Sequence, residues 1–298
     1  MEIALDTETK QPLIVIVGQT AAGKSSIAMQ IAQQYDGEII SADSWTVYKG
    51  FNIGTAKPSP DDRKKVPHHM IDILDPEEDF TAVDFKQRTM QLIDKIHARG
   101  NLPILVGGNG LYIDSVIYNY SFMPPGDPGQ RELLNKKSLA ELLGLADERG
   151  ISLKGIDKRN SRRVIRAIEA GGKRPTRDPM RENTIMIGIH RDRQKIRQRI
   201  EERIEAMFGM GLQFEVKALA DKFGWDTEAM KAIGYREFKG YFNNEISKNE
   251  LKRQILRSTL RDLAKRQRAW FKKHPQIKWV HSVDEAEQKI ADFLKKTE

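Results

Sequence analysis

Apolar positions along the chain follow two rhythms. Short unbroken runs, LIVIV at 13–17, LPILV at 102–106 and TIMIGI at 184–189, suit strands buried on both faces of a parallel sheet. GEIISADS at 37–44 reads as a further strand that ends in polar residues. Elsewhere apolar residues recur every three or four positions, as in SSIAMQIAQQY after the first run and DFKQRTMQLIDKIHARG before LPILV, the latter closed by Gly100. Strand and helix alternate, which predicts an α/β fold with a parallel sheet covered by helices on both faces.

The alternation breaks at SFMPPGDPGQ, 121–130, a loop-like stretch. From there the chain reads as short helices up to GGKRPTRDP, after which TIMIGIH returns as a strand, so residues 121–180 are expected to form a small helical insertion. The core is expected from 12–120 and 181–298, with an N-terminal tail at 1–11. Residues 191–219 and 249–273 read as long basic helices. In the second, Leu251, Ile255, Leu263 and Trp270 mark a buried side. Arg253, Arg257, Arg261, Lys265 and Arg268 mark a basic side, either solvated or positioning phosphates.

Composition narrows the picture. The chain has 298 residues, 39% of them apolar, enough for a sizeable core. With no cysteine there is no disulfide framework and no thiolate zinc site. The N-terminal residues lack the apolar region of a secretory signal, and no apolar run approaches the roughly 18 residues of a spanning helix, so a cytoplasmic protein without membrane insertion is expected. Net charge is +8, unevenly divided: residues 1–150 carry 15 Lys+Arg against 21 Asp+Glu, and residues 151–298 carry 35 against 21. A half at −6 joined to a half at +14 is the footprint of a polyanion partner, most often nucleic acid, or else a set of solvated helical faces.

Between the first strand and its helix, Gly18-x-x-x-x-Gly23-Lys24-Ser25 fits the phosphate-binding pattern GxxxxGK[ST]. Its glycines let consecutive backbone N–H groups converge at a helix N-terminus, Lys24 adds a point charge, and Ser25 offers a hydroxyl to Mg²⁺. Phosphate contacts are expected along Gly18, Gln19, Thr20, Ala21, Ala22, Gly23, Lys24 and Ser25, and the core is expected to be P-loop NTPase-like. A nucleoside triphosphatase would normally add a carboxylate at the end of a later apolar strand. Here LPILV runs into GGNG. The carboxylate that does stand at a strand end is Asp43, and the carboxyl ends of parallel strands line the ligand crevice. Asp43 is a candidate proton acceptor, metal ligand or N-cap.

Seven further strings run in order along the chain: DSWTVYKGFNIGTAKP (43–58), PHHMIDILDP (67–76), GGNGLY (107–112), RRVIRAIE (162–169), RIEERIEAMFGMGL (199–212), AIGYREF (232–238) and AKRQRAW (264–270). Together they resemble the tRNA isopentenyltransferase, or tRNA dimethylallyltransferase, family. The resemblance implies transfer of a dimethylallyl group from dimethylallyl diphosphate to the exocyclic N6 amine of the adenosine 3′ of the tRNA anticodon, releasing diphosphate. It implies that the P-loop holds that diphosphate with Mg²⁺ at Ser25. Thr20 and Arg203 would assist its departure, and Asp43 would take the amine proton. Asp43, Ser44, Trp45 and Thr46 match positions that contact the flipped adenosine. Asn109, Arg131, Arg162, Arg163, Arg166, Lys231, Gly234, Tyr235 and Arg236 match positions or segments that contact tRNA. Asn109 stands where the family usually has threonine. Trp45 is bulkier than the usual residue there, and either stacks on a base or fills the channel wall. A monomer is expected.

Two other chemistries fit parts of the pattern. Prenyl transfer to free adenine nucleotides needs no large basic surface, and a P-loop kinase would use the loop for ATP. His68 and His69 are adjacent and cannot both face one ligand, which favours structural roles over metal binding.

Overall fold

The computed structural model describes residues 11–124 and 126–297, so the tail expected at 1–11 lies outside the described residues apart from Gln11. Two compact units are present: residues 118–179 form one, and the rest of the described chain forms the other.

The larger unit is built on six strands: β1 (Leu13–Gly18), β2 (Gly37–Ala42), β3 (His68–His69), β4 (Leu102–Gly107), β5 (Thr184–Ile189) and β6 (Lys278–Val280). They pair in parallel in the order β3-β2-β4-β1-β5-β6. Every residue of β1 is buried, and Ile14 registers with Ile104 on one side and Ile185 on the other. Side chains alternate across the sheet. Ile14, Ile16, Ile104 and Ile187 therefore join one core with α1 (Lys24–Gln34), while Leu13, Val15 and Val17 are equally buried on the opposite face. Strands β3 and β6, with 2 and 3 residues, carry no periodicity a sequence could reveal.

After α1 come α2 (Pro60–Lys65), α3 (Ala82–Ala98) and α4 (Gly110–Ile117). The α3 helix starts at a capping box, with the Thr81 hydroxyl accepting from the Asp84 N–H and the Asp84 carboxylate accepting from the Thr81 N–H, and it buries Phe85, Thr89, Ile93 and Ile96. Beyond the small unit lie α8 (Arg193–Gly209), α9 (Leu212–Phe223), α10 (Phe238–Phe242), α11 (Lys248–Ser258), α12 (Lys265–Phe271) and α13 (Val283–Leu294). The expected single helix over 191–219 is two, because Gly211 takes φ 93° and starts α9 on a new axis.

The expected continuous helix over 249–273 is also interrupted. Residues Thr259–Ala264 form a π-helical turn between α11 and α12. The extra residue per turn slips the helical phase, so burial passes from Leu251 and Ile255 to Ala264, Gln267 and Phe271, while Leu263 and Trp270 stay only half-buried. Arg253, Arg257, Arg261 and Lys265 remain exposed.

The small unit contains α5 (Pro128–Asn135), α6 (Leu139–Glu148) and α7 (Ser161–Glu169) around Leu134, Leu142, Ala146, Val164, Ile165 and Ile168. The Glu169 side chain is fully enclosed and takes a bidentate ion pair from Arg131.

The sheet end away from the P-loop holds a second buried carboxylate. Glu38, 3% exposed, accepts from Arg99 at 2.9 and 2.7 Å and from Asn101 at 2.8 Å, and lies 2.5 Å from His69 Nε2. Burial alone would raise its pKa, but hydrogen bonds from Arg99, His69 and Asn101 bring it down from 4.5 to about 2. A depressed carboxyl stabilises the fold above its unfolded pKa, so this contribution should be full above about pH 5 and fade as the pH falls towards 2. Glu38→Ala removes the carboxylate that Arg99, Asn101 and His69 share and should lower the urea midpoint at neutral pH, with a flatter stability profile in acid. His69 belongs to this cluster, His68 bonds the Val66 carbonyl at 2.8 Å, and no group of three metal-ligating side chains occurs among the described residues.

Candidate active site

The P-loop turns sharply between β1 and α1. Ala21 and Gly23 both take positive φ, 60° and 103°, which bends the chain so that its N–H groups face inward. Gly23 starts α1 with no side-chain cap, leaving the first N–H groups of the helix to a ligand. Lys24 folds back over the loop, its Nζ donating to the Gln19 carbonyl at 2.8 Å. Burial first, then the neighbouring Arg203, holds Lys24 down at about 8, with Asp43 opposing them.

Two arginines one turn apart on α8 close over the loop from outside. Arg203 Nη1 lies 3.3 Å from the Thr20 hydroxyl, and Arg199 Nη1 donates to the Ala21 carbonyl at 3.2 Å. Burial, then Arg199, lowers the Arg203 pKa from its ordinary value. Arg199 was not singled out from the sequence. Its signal was the four-residue spacing from Arg203, which puts both on one helix face.

The π-turn supplies a third support that sequence reasoning missed. The Ala264 carbonyl accepts from Gln19 Nε2 at 3.0 Å, and Gln267 Oε1 accepts the Thr20 N–H at 2.7 Å. Without the phase slip, Gln267 would not face the loop.

Asp43 follows β2, two strands away from β1 across β4. No helix follows it, which corrects the N-cap expectation: residues 43–48 form a turn, with Asp43 Oδ1 accepting the Trp45 N–H at 2.8 Å. Burial is the main influence on its carboxyl and pushes the pKa up; the backbone bond from Trp45 and the Lys24 charge pull against it. Between Asp43 and the P-loop lies the end of β4, where a nucleoside triphosphatase would normally carry a carboxylate and this chain has glycine. A Cβ on Gly107 would come 2.1 Å from the Ala42 carbonyl, and one on Gly108 2.0 Å from Gln267 Nε2. The close approach of β2, β4 and α12 therefore demands glycine at the cleft floor.

Thr20, Lys24, Ser25, Asp43, Arg199 and Arg203 line one cleft of about 970 Å³. It holds cations and a helix N-terminus at one side and a half-buried carboxylate at the other, a combination suited to an anionic leaving group and a proton-losing nucleophile. Beside Gly18 and Gln19 a smaller cavity of about 300 Å³ is rimmed by Arg191, Arg193, Arg268 and Lys272.

The other residues singled out from the sequence fall into three groups. Near Asp43, Thr46 lines the cleft with its hydroxyl 3.0 Å from that of Ser41. Asn109 is committed internally, donating to the Ser44 hydroxyl at 2.6 Å and accepting the Tyr112 N–H at 3.3 Å. Trp45 packs against the core with its ring 6.4 Å from Tyr48 and is not part of the cleft lining.

In the 231–236 segment, Lys231 and Arg236 are exposed, although Lys231 pairs with Glu228 and Arg236 with Glu237 and Asp262. Gly234 is buried and donates its N–H to Glu237. Tyr235 is 0% exposed and its hydroxyl donates to Glu215, so within this segment its side chain faces the core.

In the small unit, Arg162 and Arg163 are exposed on α7. Arg131 and Arg166 both reach Glu169, and Arg166 also donates to the Met123 and Pro124 carbonyls.

A six-stranded parallel sheet carrying a P-loop with a carboxylate two strands away defines a P-loop α/β protein, and comparison with known proteins narrows it. The family model described as IPP transferase matches residues 46–274, and the chain belongs to that family. It is 40% identical over 91% of both chains to a tRNA dimethylallyltransferase of Pelotomaculum thermopropionicum. It is 39% identical, again over 91% of both chains, to the protein of that name in Bacillus subtilis. The crystal structure of a full-length tRNA isopentenylpyrophosphate transferase from Bacillus halodurans covers 97% of this chain, and 98% of that chain is covered, at 35% identity and a TM-score of 0.76.

Proposed function

We propose that this protein is a tRNA dimethylallyltransferase, moving a dimethylallyl group from dimethylallyl diphosphate to N6 of the adenosine 3′ of the anticodon. The observation that carries this reading is the single cleft shared by the P-loop cations and Asp43. In the reaction the bond from the allylic carbon to the diphosphate oxygen breaks, the bond from that carbon to N6 forms, and one amine proton is lost. Negative charge therefore grows on the diphosphate, where Lys24, Arg203, Arg199, Thr20 and the N–H groups of residues 18–25 would stabilise it. The amine proton goes to Asp43, whose raised pKa suits an acceptor in a low-dielectric site. An adenine stacked in a loop cannot reach a carboxylate at a cleft floor, so the base must flip out.

Mg²⁺ fits the donor set. Ser25 lines the cleft, and no group of three metal-ligating side chains occurs there among the described residues, which suits a cation that takes most ligands from phosphate and water. When bound, Mg²⁺ would neutralise part of the diphosphate charge. The surfaces offered to tRNA are Arg162 and Arg163 on α7, Lys231 and Arg236, and the rim formed by Arg191, Arg193, Arg268 and Lys272. One chain supplies every group named in the cleft, so a monomer suffices. Among the described residues no helix is long and apolar enough to cross a membrane.

Incubation with labelled dimethylallyl diphosphate, offering total tRNA and free adenine nucleotides separately, should place label in tRNA alone. Label in AMP, ADP or ATP would instead identify a free-nucleotide prenyltransferase, and phosphate transfer from ATP a kinase. Binding to tRNA should weaken steeply with salt, by about a thousandfold between 50 and 200 mM if six or more phosphates are contacted. A flat response would remove the polyanion partner.

A further inference from the structure

Glu215 on α9 sits outside the cleft, yet its carboxylate is heavily hydrogen-bonded. Oε2 accepts the N–H groups of Asn52 and Ile53 at 3.1 and 2.9 Å. Oε1 accepts those of Ile53 and Gly54 at 3.0 and 3.2 Å, and the Tyr235 hydroxyl at 2.6 Å. Three successive N–H groups converging on one anion form a nest, the backbone device the P-loop offers to a phosphate, here occupied by the protein's own side chain. Burial, then the Glu215 charge, raises the Tyr235 pKa and keeps its hydroxyl a donor.

The nest holds the wall of the cleft in place. Past Gly54 the chain continues through Thr55, Ala56, Lys57 and Pro58, all of which line the cleft with Lys24 and Asp43. The far end of this wall is fixed by Lys57, whose side chain is 1% exposed and whose Nζ meets the Tyr48 carbonyl at 2.5 Å and Asp72 at 2.6 Å. The near end is fixed by Glu215. Tyr235 completes the joint, since its ring lies so close to Gly54 that a Cβ there would come within 2.4 Å of it. The same Tyr235 belongs to the segment that exposes Lys231 and Arg236. Glu215 therefore ties three pieces distant in sequence: the cleft wall, α9 and an exposed basic segment.

We infer that Glu215 is a positioning residue which, with Tyr235, locks the 52–58 wall to the 231–236 segment, so that tRNA gripped outside presents its base to the Asp43 side of the cleft. This rests on the prenyl-transfer reading above. The wall follows the 43–48 turn after Lys49, Gly50 and Phe51 and makes no hydrogen bond to the P-loop among the described residues. Its loosening should therefore be felt by the acceptor and not by the diphosphate.

Glu215→Gln tests this, because the amide keeps the side chain's size but turns one accepting oxygen into a donor facing N–H groups. KM for tRNA should rise about tenfold while KM for dimethylallyl diphosphate stays within about twofold, at a temperature where circular dichroism shows the variant folded. Tyr235→Phe removes one O–H and keeps the buried ring. It should raise the same KM by about threefold, and the double variant should fall short of the product of the two effects, since both act through one carboxylate. If Glu215→Gln does not fold, Tyr235→Phe decides alone.

Unchanged KM for tRNA in folded variants, or an equal rise in both KM values, would overturn the assignment. Affinity for tRNA without donor is measured in parallel on all variants. A wild-type protein that bound tRNA but transferred nothing would count against the reaction, while a tenfold loss of affinity in Glu215→Gln would still uphold the joint and its absence refute it.

Discussion

Asp43→Asn should slow single-turnover transfer to tRNA by about a hundredfold or more, the usual range for losing a general base, with tRNA affinity and thermal stability barely altered. The substitution is clean in structural terms. Asparagine keeps the oxygen that accepts the Trp45 N–H at 2.8 Å, so the turn after β2 holds. The negative charge disappears, and with it the capacity to take a proton. Because burial raises the Asp43 pKa, the wild-type rate should show an acid limb above pH 3.8, the ordinary value for the group, with transfer rising as the carboxyl ionises. The variant should lack that limb. If Asp43 acted chiefly by coordinating Mg²⁺, raising the cation would restore much of the lost rate by mass action, and near-normal transfer at low Mg²⁺ would remove it from the mechanism altogether.

The chemistry at the two ends of the cleft was legible because it is written locally. A strand, GxxxxGK[ST] and a helix occupy consecutive positions from Leu13 to Gln34, and Asp43 stands at the end of its own strand. The parallel sheet followed from the same short apolar runs. The features hidden in the sequence depend on tertiary approach. Gln267 reaches Thr20 across 247 positions, and only because a π-turn shifts the phase of a helix whose apolar spacing reads as continuous. Glu215 meets Ile53 across 162 positions. Tyr235 lies between exposed Lys231 and Arg236, and nothing in that local string shows that Gly54, far off in the chain, leaves the space that lets it be buried. Glycine at 107 and 108 had a signal, the absence of a strand-end acid, but its cause is the crowding of Ala42 and Gln267. Local motifs thus named the reacting groups, while the residues that hold them in place came from elements far away in the chain.

Lys24→Ala should reduce transfer by a hundredfold to a thousandfold, comparable to removing one donor from a preorganised anion site, because the lysine lies where leaving-group charge develops. Affinity for diphosphate should fall with it. Affinity for tRNA should survive, since Lys24 Nζ is folded inward onto the Gln19 carbonyl and presents nothing to an RNA backbone. Equal loss of both would mean that the donor does not bind at the P-loop. The same lysine predicts a pH signature. In the free cleft, burial and then Arg203 hold its pKa at about 8, and a bound diphosphate favours the charged form and must raise it. Below about pH 8 the ammonium is present in both states and diphosphate affinity should be flat in this respect. Above that pH the free protein has lost the proton that the complex retains, so affinity should decline as the pH rises and binding should take up protons. Titration calorimetry at pH 8 to 9, in buffers of different ionisation enthalpy, reads this uptake directly. Lys24→Ala should abolish it, and uptake that persisted in the variant would assign the titrating group to another residue of the cleft.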